Sequence, residues 1–257
     1  MGMAINVAHR RAMELAQTTM KKVQFQDIGT VDYGAAWDFQ TEIFTKTVDL
    51  KLANRKNPER ATETKDHFLF VEHPPVFTLG KSGKKEHLLV DEEQLKKDGF
   101  EYFPVNRGGD ITYHGPGQVV GYPIIDLDYY FTDIHKYLRY LEEVIISTLS
   151  DYGLKTGRSD GETGVWMDEG TPFARKLCAM GVKASRWTTM HGFALNVNVD
   201  LSHFDYIVPC GISDKKVTSL NVELGRDVDL NEVKDKIKFY FQKQFNCAFI
   251  PAKHLFK

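Results

Sequence analysis

The sequence predicts an α+β fold, a single domain with a mixed, largely antiparallel sheet and flanking helices. Three observations carry this expectation. Short β-rich runs recur along the chain, many of them bounded by Gly or Pro. Three other segments repeat apolar residues every three or four positions. The two kinds of segment do not alternate as regular βαβ units would require. At 257 residues one domain can bury most of the surface its unfolded chain exposes, so neither a disulfide framework nor a structural metal is needed.

Taken in order, residues 1–22 read as an N-terminal extension, helical and rich in Ala and Met, and residues 23–257 as the main domain. VQFQDIG (23–29) alternates like a short strand closed by Gly29. Residues 33–52 carry Ala36, Phe39, Ile43, Phe44, Val48 and Leu52 on one stripe, which predicts a core-packed helix. Residues 53–66 are polar, contain Pro58, and read as a mobile loop. FLFVE (68–72) and VFTLG (76–80) are strands separated by His73-Pro74-Pro75, where the prolines forbid helix. Further strands are expected at 102–106, 118–127, 165–168, 176–185 and 193–199. Ile134, Leu138, Leu141, Ile145 and Leu149 define a helix over 133–152, with Thr132 or Asp133 as its cap. A last helix over 230–245 carries Val233, Ile237, Phe241 and Phe245.

Composition narrows the function classes. A net charge of −2 supplies no electrostatic reason for nucleic acid or an anionic membrane to be the partner. No stretch reaches 18 uncharged apolar residues, and Arg10 and Arg11 are followed by no apolar segment of the kind a secretory signal needs. Asn6 stands where a myristoylation motif requires Ser or Thr. Three scattered cysteines, Cys178, Cys210 and Cys247, fit a reducing compartment, and a cytoplasmic protein is expected. No HExxH, CxxC, GxSxG, Walker or dinucleotide motif occurs, so neither a zinc site nor a serine hydrolase is supported.

Three segments bear chemistry. In residues 107–118, RGGDITYHGPGQ, glycines allow close backbone approach to a ligand, and Arg, Thr, Tyr, His and Gln stand among them. The segment reads as a binding loop rather than a bare turn. In residues 176–181, KLCAMG, strand alternation places Lys176, Cys178 and Met180 on one face. Lys176 is either a snorkelling edge residue or an enclosed ammonium in need of an anionic partner such as a thiolate. In residues 207–212, IVPCGI, Pro209 and Gly211 place Cys210 in a turn, where a thiol becomes a competent nucleophile if a nearby Lys or His lowers its pKa. Cys178, inside a strand, and Cys247, beside Phe249 and Ile250, read as buried thiols.

These segments, with VEHPPVFTLGKSGKKEHLL (71–89), RGGDITYHGPGQVVGYPIIDL (107–127), RKLCAMGVK (175–183), HGFALNVNVDLSHF (191–204) and PCG (209–211), resemble the lipoyl(octanoyl) transferase family. The resemblance implies the catalytic fold of the lipoate- and biotin-protein ligases. It implies transfer of an octanoyl group from octanoyl-acyl-carrier protein to a lysine of lipoate-dependent enzymes, namely the lipoyl domains of 2-oxoacid dehydrogenase complexes and the glycine cleavage H protein. It also implies no cofactor and no metal, because a thioester already carries its activation. By the same similarity, Cys210 takes the acyl group as a thioester and Lys176 lowers its pKa. The substrate-contacting residues implied are Arg107, Gly108, Gly109, Asp110, Ile111, Thr112, Tyr113 and His114, then Ala179, Met180 and Gly181, and finally Gly192, Phe193 and Ala194. Met180, Phe193 and Leu195 are further expected to line an acyl tunnel, and His114 and His191 to help orient the groups. Two rival readings remain open from sequence: an ATP-dependent ligase of the same fold, which needs no cysteine nucleophile, and a non-catalytic acyl-binding module.

Overall fold

The computed structural model describes residues 20–208, 216–253 and 255–256. Strand β1 (Lys21–Thr30) leads into helix α1 (Tyr33–Lys56). Strands β2 (Asp66–Glu72) and β3 (Val76–Leu79), helix α2 (Glu92–Lys97), and strands β4 (Glu101–Pro104), β5 (Ile111–His114) and β6 (Gln118–Ile124) follow. Next come helix α3 (Ile134–Ser150) and strands β7 (Thr156–Gly157), β8 (Val165–Met167), β9 (Arg175–Ser185) and β10 (Thr188–Asn196). The chain then forms strand β11 (Lys216–Val217), helices α4 (Leu220–Leu224) and α5 (Leu230–Phe245), and strand β12 (Cys247–Pro251).

The main sheet runs β12-β1-β2-β6-β10-β9-β8-β7, with β11 beside β9. From β2 through β7 its neighbours are antiparallel, while β1 is parallel to both β12 and β2, and β11 is parallel to β9. A second sheet, β4-β3-β5, packs its own apolar core of Phe77, Phe100, Ile111 and Tyr113.

Both faces of the main sheet are covered, which explains the unbroken apolar run in β2. Phe68 and Phe70 pack with α3 and α5 through Leu141, Ile145, Ile237 and Phe241, whereas Leu69 and Val71 face α1 through Ala36, Phe39 and Ile43. Asp133 caps α3 by accepting the Lys136 N–H at 3.0 Å. The β9–β10 hairpin turns on Arg186 and Trp187, with φ of 49° and 62°, the pair of left-handed residues a two-residue primed turn demands.

Several boundaries differ from expectation. Residues 53–66 are not one loop: α1 continues to Lys56, a 3₁₀ turn spans Pro58–Arg60, and Asp66 already belongs to β2. Arg55 and Lys56 suit that extension, since cations favour the last turn of a helix. A third of the expected glycine-rich loop is strand β5, in which Thr112 and Tyr113 pair with Thr78 and Phe77. Lys21 and Lys22 extend β1 rather than an N-terminal helix, so the boundary drawn at residue 22 falls inside a strand. The rest of that extension, residues 1–19, lies outside the described residues. The strand expected at 193–199 starts at Thr188 and ends at Asn196, and the one expected at 102–106 ends at Pro104.

Candidate active site

The site is built on β9 and β10. Their register pairs Ala179 with Ala194 and Gly181 with Gly192, so one face of the hairpin carries almost no side-chain bulk. Above it opens a cavity of about 550 Å³, a size common for small-molecule sites. Gly181 lets the Arg107-Gly108 segment cross the strand: a Cβ there would stand 2.7 Å from the Gly108 carbonyl oxygen. The Gly108 N–H donates to the Val182 carbonyl at 2.9 Å, locking the crossing. Arg107 is itself buried, and its guanidinium donates to the Thr78 carbonyl at 2.8 Å and to Thr78 Oγ1 at 2.9 Å. The Arg107 side chain therefore ties the loop to the second sheet.

Lys176 sits in the cavity wall near the start of β9. The strand is irregular here: Val165 pairs with Cys178 but Trp166 pairs with Lys176, leaving Leu177 as an extra residue. This bulge corrects the expected shared face of Lys176, Cys178 and Met180. Leu177 and Cys178 both enter the α3–α5 core, fully buried, while Lys176 lines the cavity. The Lys176 Nζ lies 3.7 Å from the Glu162 carboxylate and 4.5 Å from the Trp166 ring centroid. The Glu162 segment is anchored from below, where the Gly164 N–H donates to the buried Glu142 carboxylate at 3.0 Å. Gly164 adopts φ of 119°, and a Cβ there would meet the Cys178 carbonyl oxygen at 2.4 Å, so only glycine closes this turn.

At the other end of the cavity three histidines gather around aromatic rings. His114 stacks on Tyr33 with centroids 5.9 Å apart, and its Nδ1–H donates to Gln118 Oε1 at 3.2 Å. His191 holds φ of 59° within β10, and its displaced backbone N–H donates to Gln40 Oε1 at 3.0 Å. Burial, assisted by the charges of Arg107 and Lys183, pushes the His191 pKa down to about 3. Burial likewise lowers His73 to about 4, and His114 well below the usual histidine value, with the neighbouring His73 and Arg107 adding to the effect. All three are neutral at physiological pH, hydrogen-bonding groups rather than charges.

Of the residues expected at the site, Arg107, Gly108, Gly109, Asp110, Ile111, Thr112 and His114 line the cavity, with Lys176, Ala179, Met180, Gly181, Gly192, Phe193 and Ala194. Tyr113 is placed elsewhere. It is buried in the core of the second sheet, its hydroxyl 2.8 Å from His203 Nδ1, because β5 alternation turns it away from Thr112 and His114. Leu195 packs in the α3–α5 core. Cys210 lies outside the described residues. Sequence reasoning did not single out Tyr33, Tyr122, Glu162 and Asn196, which reach the cavity from α1, β6, the β7–β8 connection and β10, although Tyr122 and Asn196 stand inside the segments 107–127 and 191–204 quoted for the resemblance. Cys178 is fully buried, and burial, then the Glu142 charge, pushes its thiol pKa far up, which makes it inert. Among the described residues no group of three or more His, Cys, Asp or Glu is arranged to hold a metal, and no helix is long and apolar enough to cross a membrane.

The mixed sheet covered by helices is the fold of the lipoate- and biotin-protein ligase catalytic domains. A bipartite lipoate protein ligase from Thermoplasma acidophilum superposes with a TM-score of 0.66 at 17% identity, covering 90% of this chain and 86% of that one. Lipoate-protein ligase A bound with ATP superposes with 0.64 at 15% identity over 91% and 88%. These likenesses establish the fold. The family profile described as the lipoyl protein ligase A/B catalytic domain matches residues 32–242. Octanoyltransferases of Flavobacterium johnsoniae and Christiangramia forsetii are 64% and 62% identical, over 90% and 88% of this chain and 99% and 97% of theirs. The chain belongs to the lipoyl(octanoyl) transferase family, acyltransferases built on this catalytic domain.

Proposed function

We propose that this acyltransferase takes an octanoyl group from octanoyl-acyl-carrier protein, holds it as a thioester on Cys210, and delivers it to a lysine of a lipoyl domain or glycine cleavage H protein. The domain that does this includes Lys21 and Lys22 of β1 and works in the cytoplasm. The observation that carries the reading is Lys176 in the wall of a cavity floored by Ala179, Gly181, Gly192 and Ala194, in a chain this close to named octanoyltransferases.

The chemistry needs one group that accepts a proton twice and donates it once. Lys176 takes the Cys210 thiol proton, and the ammonium so formed stabilises the thiolate. The thiolate attacks the octanoyl carbonyl, and the tetrahedral intermediate collapses with loss of the carrier thiolate, which takes the proton back from Lys176. Neutral Lys176 then accepts a proton from the attacking acceptor lysine, and collapse to the amide regenerates thiolate and ammonium. The carbonyl enters already activated, so no ATP is consumed. The Arg107-Gly108-Gly109 segment and the hairpin floor would hold the acyl chain and its carbonyl from opposite sides.

The test is an intact-mass measurement after mixing enzyme with octanoyl-acyl-carrier protein. One added octanoyl group on the wild type and on Cys178→Ser, none on Cys210→Ser, is expected, with transfer lost only in the last. Octanoylation of an acceptor from free octanoate that depends on ATP would instead make the protein a ligase.

A further inference from the structure

We infer that Tyr122 is the end wall of the acyl channel and sets the length of acyl chain the enzyme accepts, with His73 as its positioning residue. The inference rests on the octanoyl-transfer reading above. Val120 pairs with Ala194, and Gly121 with Phe193, so Tyr122 projects on the same face of the sheet as Ala194 and the small-residue floor. The floor thus runs from β9 through β10 with little bulk and then meets a tyrosine ring on β6. Tyr122 lines the cavity, yet it is only 3% exposed, packed with α1 residues Ala36 and Phe39. The Lys176 and Gly181 positions, both in the cavity wall, are five residues apart on β9, at most about 17 Å at strand rise because the Leu177 bulge shortens the path. The floor is therefore long enough for a medium acyl chain to lie along it away from Lys176.

The ring is held at its far end. The Tyr122 hydroxyl lies 2.7 Å from His73 Nε2, and His73 Nδ1 lies 2.8 Å from the Val31 carbonyl oxygen. A carbonyl only accepts, so Nδ1 carries the hydrogen, and Nε2 must accept from the tyrosine. His73 is fully buried, and this tautomer needs it neutral, as its lowered pKa makes it. The tyrosine hydroxyl is thereby committed to the protein and presents only its ring to the chain. Tyr33 and His114, stacked on each other and packed against the His73 ring, line the same cavity.

The test is the chain-length profile of acyl-enzyme formation, using six- to fourteen-carbon acyl-carrier-protein thioesters with wild type, Tyr122→Leu, Tyr122→Trp and Tyr122→Phe. Tyr122→Leu should move the optimum to longer chains, each newly accommodated methylene raising kcat/KM by about fourfold. Tyr122→Trp should move it to shorter chains, and Tyr122→Phe should keep it, since the ring is the gauge. His73→Leu, which frees the hydroxyl end, should broaden the profile. A general loss of packing would lower all chain lengths together and leave the optimum in place. An unchanged optimum in whichever of the Leu and Trp variants folds overturns the assignment, and the two changes strain the core in opposite senses. Failure of the wild type to be acylated by any thioester would instead count against the octanoyl-transfer reading.

Discussion

Replacing Glu142 should show how the site is supported from beneath. Its carboxylate is fully buried on α3 and accepts from Arg139 at 2.8 Å, Arg158 Nε at 3.0 Å and the Gly164 N–H at 3.0 Å. Breaking a buried ion pair by removing one partner costs about 3–5 kcal/mol. Here the arginine side chains are 44% and 34% exposed, so water recovers part of the lost interaction and the lower end applies. Glu142→Ala should therefore lose about 3 kcal/mol, which for a domain of this size lowers Tm by about 6–12 °C. Glu142→Gln keeps an acceptor for Gly164 and gives up only the charge, at a cost of about 1–2 kcal/mol. The kinetic consequence follows from the chain path. Gly164 lies two residues from Glu162, whose carboxylate faces Lys176 at 3.7 Å, so acyl transfer should fall more in the Ala variant than in the Gln variant at a temperature where both are folded. Urea titrations with a single-turnover transfer assay measure both. A loss below about 1 kcal/mol in Glu142→Ala, with normal transfer, would refute the anchoring argument.

Lys176 separates charge from proton transfer. Lys176→Met should shift the alkylation profile of Cys210 to higher pH, because the ammonium that favours the thiolate is gone. Lys176→Arg keeps the charge but cannot take up a proton, so acylation should survive better than release to the acceptor, read by single-turnover mass spectrometry. Asp66 predicts a pH dependence of stability. Burial, opposed by hydrogen bonds from the Asp126 N–H and the Tyr130 hydroxyl, raises its pKa to about 7 from an unfolded value of 3.8. Between those values only the folded state holds the proton, so the contribution is present below about pH 4 and is lost as pH rises to about 7. Wild type minus Asp66→Asn, compared by urea unfolding at pH 5 and pH 8, should show wild type relatively more stable at pH 5, and equal differences would count against it.

Much of the site was legible in the chain because it sits in contiguous motifs. Residues 107–114, 179–181 and 192–194 reach one cavity, except that Tyr113 turns into the second core, an alternation that a glycine-rich loop reading could not foresee. Lys176 was singled out as a cation leading an apolar strand, with its environment left open. The bulge at Leu177, set by the pairing of β8 with β9, decides that Lys176 and Cys178 part company. Tyr122 and His73 stand inside the segments 107–127 and 71–89 that carry the family resemblance, but nothing there shows that they meet, and no local pattern marks Glu142. Each matters through a partner distant in sequence: Val31 for His73, His73 for Tyr122, Gly164 for Glu142.

The sequence by itself determined the α+β class, the three long helices and most strand positions, because period-two and period-3.6 burial are written locally wherever an element lies against a core. It also determined the family, through motifs whose glycines and polar residues have no local structural excuse. Strand order, the small second sheet, the parallel seating of β12 on β1, and the meeting of Tyr122, His73 and Tyr33 at the cavity's end belong to the tertiary structure alone. Those pairings join residues dozens to more than two hundred positions apart. They are selected by hydrogen-bond satisfaction and shape fit between whole elements, which no window of sequence contains.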